Sequence, residues 1–227
     1  KAGTTSLYRY LYGHPDVHMS RVKETDFFVA ERNWSRGPGW YEDQFDEAGG
    51  ALAIGEASTT YSMYPHYRGV AGRLTDTLPD VKLVYVLRDP VERARSDYVH
   101  YRYPHAAQSR RFFDREHLPI DQALLENPIY LDTSRYAMQI EQYLEYLDRD
   151  RILVITTEQL AEQRTRTIEE VLSFIGVDPA RGSNRFDDEY NRTDSLRVPR
   201  ESFERAQHVP GVRAVLARVP YRVRRSV

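Results

Sequence analysis

Stretches that are apolar at nearly every position alternate along this chain with stretches whose apolar residues recur every three or four. "ALAIGE" (51–56), "VKLVYVLR" (81–88) and "DRILVITTE" (150–158) are of the first kind. Continuous apolar runs with helical segments between them predict buried strands of a parallel sheet. "PDVHM" (15–19) predicts a shorter extended piece. Leu7, Tyr10 and Leu11 fall at helical spacing, with Gly13 and then Pro15 as a stop. Tyr136, Ile140, Tyr143, Leu144 and Leu147 form one helical stripe; Ile168, Val171, Leu172 and Ile175 form another, closed by Gly176 and Pro179. In "DPVERARSDYVHYR" the start is explicit: Asp89 as N-cap, Pro90 at the first helical position and Glu92 completing a capping box. Strands alternating with helices predict an α/β layered fold that binds ligands at the carboxyl ends of its strands.

Three segments fall outside that alternation. Residues 30–50, with Gly37, Pro38, Gly39, Gly49 and Gly50, predict an excursion from the core, as does the basic and aromatic segment 102–118. From Pro210 onward Arg213, Arg218, Arg222, Arg224 and Arg225 sit among small apolar residues. That pattern reads as a solvated amphipathic helix, with a lid or an anionic-partner site as the other reading. No repeat or low-complexity tract breaks the chain, and 227 residues suit a single domain.

Composition narrows the chemistry. Lys and Arg total 32 against 34 for Asp and Glu, so a net charge of −2 supplies no bulk attraction for nucleic acid. Any anion must be held by local arrangement. The absence of cysteine excludes disulfides, thiolate zinc sites and a cysteine nucleophile. The seven histidines show no metal-ligand spacing, and no apolar run approaches the roughly 20 residues of a membrane span. The seventeen tyrosines read mostly as amphipathic core and rim residues, with a few left for ligand stacking.

One place where local arrangement can hold an anion is the opening, "KAGTTSLYRYL". Unpaired amides at a helix start bind phosphate or sulfate; Gly3 permits close approach, and Thr4, Thr5 and Ser6 add hydroxyls. Lys1 adds a compact positive charge. The order differs from the nucleotide triphosphatase P-loop, where lysine follows the last glycine. A second place is "LVYVLRDPVERARSDY", which sets Arg88 at a strand's carboxyl end and Ser96 on the helix beyond it. A guanidinium and a hydroxyl there suit a second phosphate.

Together the two stretches resemble the sulfotransferases that take the sulfuryl group from 3′-phosphoadenosine 5′-phosphosulfate (PAPS), with 3′-phosphoadenosine 5′-phosphate (PAP) as product. "KAGTTSL" is similar to that family's 5′-phosphosulfate loop and "RDPVERARSDY" to its 3′-phosphate motif. The likeness is to the branch of heparan sulfate sulfotransferases and their bacterial relatives. It continues through "HPDVHMSRVKETDFF", "GWYEDQF", "GEASTTY", "SRYAMQIEQYL" and "RILVITTEQL…IEEVLSFIGVDP".

The resemblance implies a P-loop-NTPase-like parallel sheet flanked by helices, with residues 1–227 as one domain. The family places a buried central strand immediately before the loop lysine, so the chain would be trimmed at its amino end. By the same likeness, Lys1 would neutralise charge on the departing phosphate. Ala2, Gly3, Thr4, Thr5 and Ser6 would hold the 5′ phosphate, and Arg88 and Ser96 the 3′ phosphate. Tyr136 falls at an aromatic position near the adenine. In "NRTDSLRVPR" (191–200), Arg197 and Arg200 would belong to a loop closing over the donor. Glu24 in "KETDFF" matches the family's general base, a role suited to a carboxylate whose pKa is raised toward the working pH. Lys23 and Asp26 would face the acceptor, Asp26 standing where some relatives carry histidine; Glu56 would be supporting or substrate-facing, with a purely structural role as the other reading. Ala57 replaces a lysine that heparan relatives carry after the glutamate, which departs from a glycan-type contact.

The implied reaction is sulfuryl transfer to a hydroxyl, secondarily an amine, of a carbohydrate, lipid or small secondary metabolite. It needs no metal, and its variable pocket would come from 30–50 and 102–118. Lacking cysteine and that lysine, the chain is expected to be a bacterial-type, cytoplasmic enzyme. Two other classes stay open. A small-molecule kinase would need a lysine after the loop glycine and an acid to hold Mg²⁺ at a strand end. A non-catalytic module binding nucleotide or sulfated glycan would have no use for both Lys1 and Glu24.

Overall fold

The structure is a computed structural model that describes residues 2–102 and 118–182. Lys1, nearly all of 102–118, Arg197, Arg200 and the arginine-rich end from Pro210 lie outside the described residues. In chain order the elements are α1 (Thr4–Tyr12), β1 (Val17–Met19), α2 (Gly37–Glu42), β2 (Ala53–Gly55), α3 (Val70–Thr77), β3 (Leu83–Leu87), α4 (Pro90–Arg102), α5 (Ile120–Glu126), α6 (Ile129–Asp132), α7 (Tyr136–Leu144), β4 (Ile152–Thr156), α8 (Thr157–Glu162) and α9 (Arg164–Ile175). Among the described residues no helix is long and apolar enough to cross a membrane.

All the strands run parallel, but they form two ladders. β1 pairs with β2, Val17 opposite Ala53 and Met19 opposite Gly55. β3 pairs with β4, Leu83 opposite Ile152 and Leu87 opposite Thr156. The expected strands are therefore present, each shorter than its apolar run, while β2 and β3 share no ladder. Nor are these strands buried throughout: Ile54 is 56% exposed, and within β3 Val86 alone is fully buried.

The side-chain period of two assigns the strands to two helical layers. Val86 and Ile155 join Leu7, Tyr10 and Leu11 of α1 and Ile168, Val171 and Leu172 of α9 in one core. Ile152, with Leu83 and Val154 packed beside it, joins Phe27, Phe28, Tyr41, Leu74 and Tyr143 in the other. The described residues thus form a helix–strand–helix sandwich, with α1 and α9 on one side and α2, α3 and α7 on the other.

A cavity of about 690 Å³ lies between the ladders. Its wall takes in Ala53, Ile54 and Gly55 in succession, and Leu83, Val84, Tyr85 and Val86 in succession. A cavity over one face of a strand would meet alternate residues only. One that meets every residue lies along the strand's edge. The apolar residues that leave β2 and β3 incompletely buried therefore border a slot between two strand edges.

Local chemistry explains the helix starts. Asp89 caps α4, its Oδ1 accepting from the amides of Val91 at 3.0 Å and Glu92 at 2.9 Å. Glu92 turns toward Arg88 at 3.6 Å and Arg95 at 3.5 Å. Farther along α4 the buried Arg93 pairs with Asp97 at 2.8 Å and donates to the Ser134 hydroxyl at 2.7 Å and to the Tyr130 carbonyl. These bonds fix the helix that carries Ser96.

Candidate active site

Each strand's carboxyl end feeds a candidate residue. β2 ends at Gly55 and Glu56 follows; β3 ends at Leu87 and Arg88 follows; β1 ends at Met19, and the chain then turns through Lys23 and Glu24. The opening loop reaches the same end. Thr157, first residue of α8, donates its hydroxyl to the Leu87 carbonyl at 2.8 Å and the Ala2 carbonyl at 3.3 Å. Gly3 precedes α1 in the left-handed region at φ 78°, a conformation a side chain would strain. Its carbonyl accepts from the Ser6 and Leu7 amides, so in the first turn the Thr4 and Thr5 amides stand ahead of the helix's own bonds.

Ala2, Thr4, Glu56 and Tyr136 border the cavity between the ladders. Tyr136 closes the end of β3: its hydroxyl donates to the Arg88 carbonyl at 2.9 Å, and its ring meets Tyr85 edge-on at 6.2 Å. Arg88 lies within 3.6 Å of Glu92, and Ser96 is buried on α4. Among the described residues no group of three or more His, Asp or Glu side chains could hold a metal ion.

The residues around Glu24 form a dense polar network. Lys23 pairs with Glu24 at 2.8 Å, both side chains partly exposed. Glu56 accepts from Thr25 and Ser58 at its Oε2, each at 2.6 Å, and from Tyr61 at 2.7 Å and Tyr41 at 3.3 Å at its Oε1. Burial pushes the Glu56 carboxyl above the usual carboxylate range, and the hydrogen bonds from Ser58, Thr25 and Tyr61 offset part of that push. Burial and then the neighbouring Glu56 charge raise the Tyr41 and Tyr61 phenols, which remain donors. Asp26, at φ 49°, is buried; it pairs with Arg32 and accepts from the Thr60 hydroxyl at 2.6 Å. Its carboxylate is thus taken up inside the protein, whereas Glu24 stays accessible.

Sequence reasoning singled out Glu56 but missed its hydroxyl partners and Arg32. The stretch "GEASTTY" holds two of the four donors, Ser58 and Tyr61, while Thr25 and Tyr41 lie elsewhere in the chain. Thr157 was missed because a threonine after a strand has no chemistry of its own until the loop is known to lie beside it.

The raised Glu56 carboxyl has a consequence for stability. Between its ordinary value and its raised folded value, the folded chain keeps a proton that the unfolded chain has released. Stability due to this group therefore falls as pH rises through that window, then levels off. Glu56→Gln removes the titration, so calorimetric Tm of the variant minus that of the parent should grow as pH rises from about 4 through the raised folded value, then hold steady. A difference that stays constant with pH would contradict the assignment.

Residues 1–196 match the family model described as the sulfotransferase domain. The chain is 30% identical over 192 residues to bifunctional heparan sulfate N-deacetylase/N-sulfotransferase 4 of Mus musculus, covering 79% of this chain and 21% of that protein. It is 29% identical over 180 residues to heparan sulfate glucosamine 3-O-sulfotransferase 6 of Homo sapiens, covering 78% and 50%. The chain thus spans between a fifth and a half of the length of these curated relatives. A crystal structure of a sulfotransferase from Alicyclobacillus acidocaldarius superposes with a TM-score of 0.65 at 28% identity, covering 98% of this chain and 94% of that one. The family match takes in the opening loop, both ladders and the Glu24–Glu56 network, and the chain belongs to the sulfotransferase domain family.

Proposed function

We propose that the chain transfers a sulfuryl group from PAPS to a hydroxyl, secondarily an amine, of a carbohydrate, lipid or secondary metabolite, releasing PAP. The bridge from Thr157 to both Ala2 and Leu87 carries this reading. It brings the opening loop beside the end of β3, so that the two anion-binding stretches lie at one end of the fold. The first-turn amides of α1, with Thr4, Thr5 and Ser6, hold the 5′ phosphate. Arg88 and Ser96 take the 3′ phosphate, which ATP lacks. Tyr136 borders the base. Arg197 and Arg200, outside the described residues, are assigned to the donor from the sequence resemblance alone.

Glu24 accepts the proton that the acceptor hydroxyl loses as its oxygen bonds to sulfur. The sulfur–oxygen bond to the 5′ phosphate breaks at the same time, and its electron pair leaves with PAP. Lys1, assigned from the loop motif, neutralises that departing charge, a role typically contributing about 3–4 kcal/mol. Relatives whose names include heparan sulfate glucosamine favour a sugar acceptor, with Lys23 and Glu56 on the acceptor side.

The slot between β2 and β3 belongs to the same reading. A further strand, parallel to both and running into the Lys1 loop, pairs with their free edges and makes one sheet in the order β1, β2, added strand, β3, β4. The apolar wall and the approach of Ala2 to the end of β3 support it. One strand inserted between two others sets them about 9.6 Å apart, twice the ladder spacing.

PAP should raise Tm well above the shift given by equal ATP, and Arg88→Ala should erase that advantage; equal shifts in the parent would remove the 3′-phosphate assignment. Glu24→Gln should lower turnover by about 100-fold or more, with PAP affinity within twofold by calorimetry. Turnover near the parent's would move the base elsewhere. In a polypeptide carrying residues upstream of Lys1, the edge amides of β2 and β3 facing the slot should exchange slowly with deuterium. Fast exchange at those amides would exclude the added strand.

A further inference from the structure

The backbone that carries Glu24 is held in an unusual way. Three successive amides, those of Asp26, Phe27 and Phe28, each point at a side-chain hydroxyl. Asp26 donates to Ser58 Oγ at 2.9 Å, Phe27 to Thr25 Oγ1 at 3.4 Å and Phe28 to the Tyr61 hydroxyl at 3.4 Å. Those three hydroxyls also donate to the Glu56 carboxylate, at 2.6, 2.6 and 2.7 Å.

A hydroxyl has one proton and two lone pairs. If its proton goes to Glu56, only lone pairs remain for the amide. Above its raised titration point the Glu56 carboxylate accepts and never donates, so the protons of all three hydroxyls turn to it, including those of Thr25 and Tyr61, whose oxygens lie 3.1 Å apart. On the other side of Glu24, the Ala57 amide donates to the Lys23 carbonyl at 3.2 Å. Asn33 Nδ2 donates to the Thr25 carbonyl at 2.7 Å. Residue 56 and its neighbours thus grip the chain before and after Glu24, while the Glu24 side chain itself remains 37% exposed.

We propose that Glu56 is the positioning residue of this site: its carboxylate orients Thr25, Ser58 and Tyr61 onto the 26–28 amides and so fixes the turn that presents Glu24. This rests on the reading of Glu24 as the general base. Glu56 is half-buried and its two oxygens accept from four hydroxyls, so its lone pairs are engaged and it acts through the turn. A glutamine at 56 would send two N–H groups at hydroxyls already facing amides. The polarity then fails although the shape is kept, which separates this role from packing.

The test is a double-mutant cycle on sulfuryl transfer from labelled PAPS to a heparan-derived oligosaccharide, or to water if the oligosaccharide is refused. Glu56→Gln should lower kcat by about 10- to 100-fold, the scale of a misplaced catalytic group, with KM for PAPS within twofold. The Glu24→Gln/Glu56→Gln double variant should be no slower than Glu24→Gln alone. Falls that multiply would show that Glu56 acts independently of Glu24, and a Glu56→Gln kcat equal to the parent's would also overturn the proposal. Thr25→Val, nearly isosteric, guards against misfolding: it should lose kcat and Thr25→Ser should restore it, whereas unchanged turnover in Thr25→Val refutes the proposal. A fast Glu24→Gln chain instead refutes the base assignment and the positioning with it. A slow Glu24→Gln beside a fast Glu56→Gln refutes positioning alone.

Discussion

A parallel strand that stops leaves its last amides and carbonyls without the partners its neighbour supplied, and those groups must be satisfied before the chain can turn away. Hydroxyl and amide side chains meet that demand repeatedly in this fold. The Ser20 amide after β1 bonds the Gly55 carbonyl at 2.8 Å, and the Tyr8 hydroxyl takes the Ser20 carbonyl at 2.8 Å. Thr157 takes the Leu87 carbonyl after β3, and Tyr136 the Arg88 carbonyl. Thr156 and Gln159 close β4 as a capping box, at 2.7 and 3.1 Å. Each closure also sets where the next residue goes. Glu56, Arg88 and the opening loop occupy one end of the molecule because that is where the unpaired backbone had to be covered.

Two acids sit within that cover, Asp26 buried and Glu56 half-buried, and they are treated differently. Asp26 is neutralised by Arg32, which Tyr67 also contacts at 3.0 Å. A buried ion pair sets mutual attraction and hydrogen bonds against the hydration each charge loses, and leaves no reactive group. Glu56 has no such cation beside it and relies on four hydroxyls. Hydroxyl dipoles stabilise a carboxylate less completely than a guanidinium does, which agrees with the upward shift from burial. Asp26 therefore behaves as a rivet. Glu56 spends its charge on ordering hydroxyls, and that order passes to the backbone beside Glu24.

Much of this was legible in the residues themselves. Apolar runs located β2, β3 and β4, and the 3.6-residue stripes located α1, α7 and α9, since both periods follow from backbone geometry alone. Asp89 and Pro90 marked the start of α4. The one-sheet expectation met two ladders, because no periodicity records which strands share an edge. Buried strands were expected from the apolarity of 51–56 and 81–88, yet those residues border a slot. Their composition reports a hydrophobic environment without naming its occupant. Motifs made Lys1, Glu24 and Arg88 candidates, but the Glu56 network needed tertiary structure. Its hydroxyl donors come from residues 25, 41, 58 and 61, and serine, threonine and tyrosine are individually too common to signal a partner.

The division into ladders also divides the labour. The groups proposed for the donor hang from β3 and β4, through Arg88, Tyr136 and the Thr157 bridge to the opening loop. The proposed base hangs from β1 and β2, through the turn after Met19 and the Glu56 grip. α1 spans both, contacting Ser20 through Tyr8 at its middle and meeting Thr157 through the loop at its start. A small shift of one ladder against the other would move Glu24 relative to the donor loop without breaking any contact within either half. In-line transfer tolerates little such error, since misplacement by about 1 Å can cost two orders of magnitude in rate. A strand paired to both β2 and β3 is the stiffest available tie, because ladder hydrogen bonds fix both spacing and register. The slot lies where the mechanism needs that rigidity.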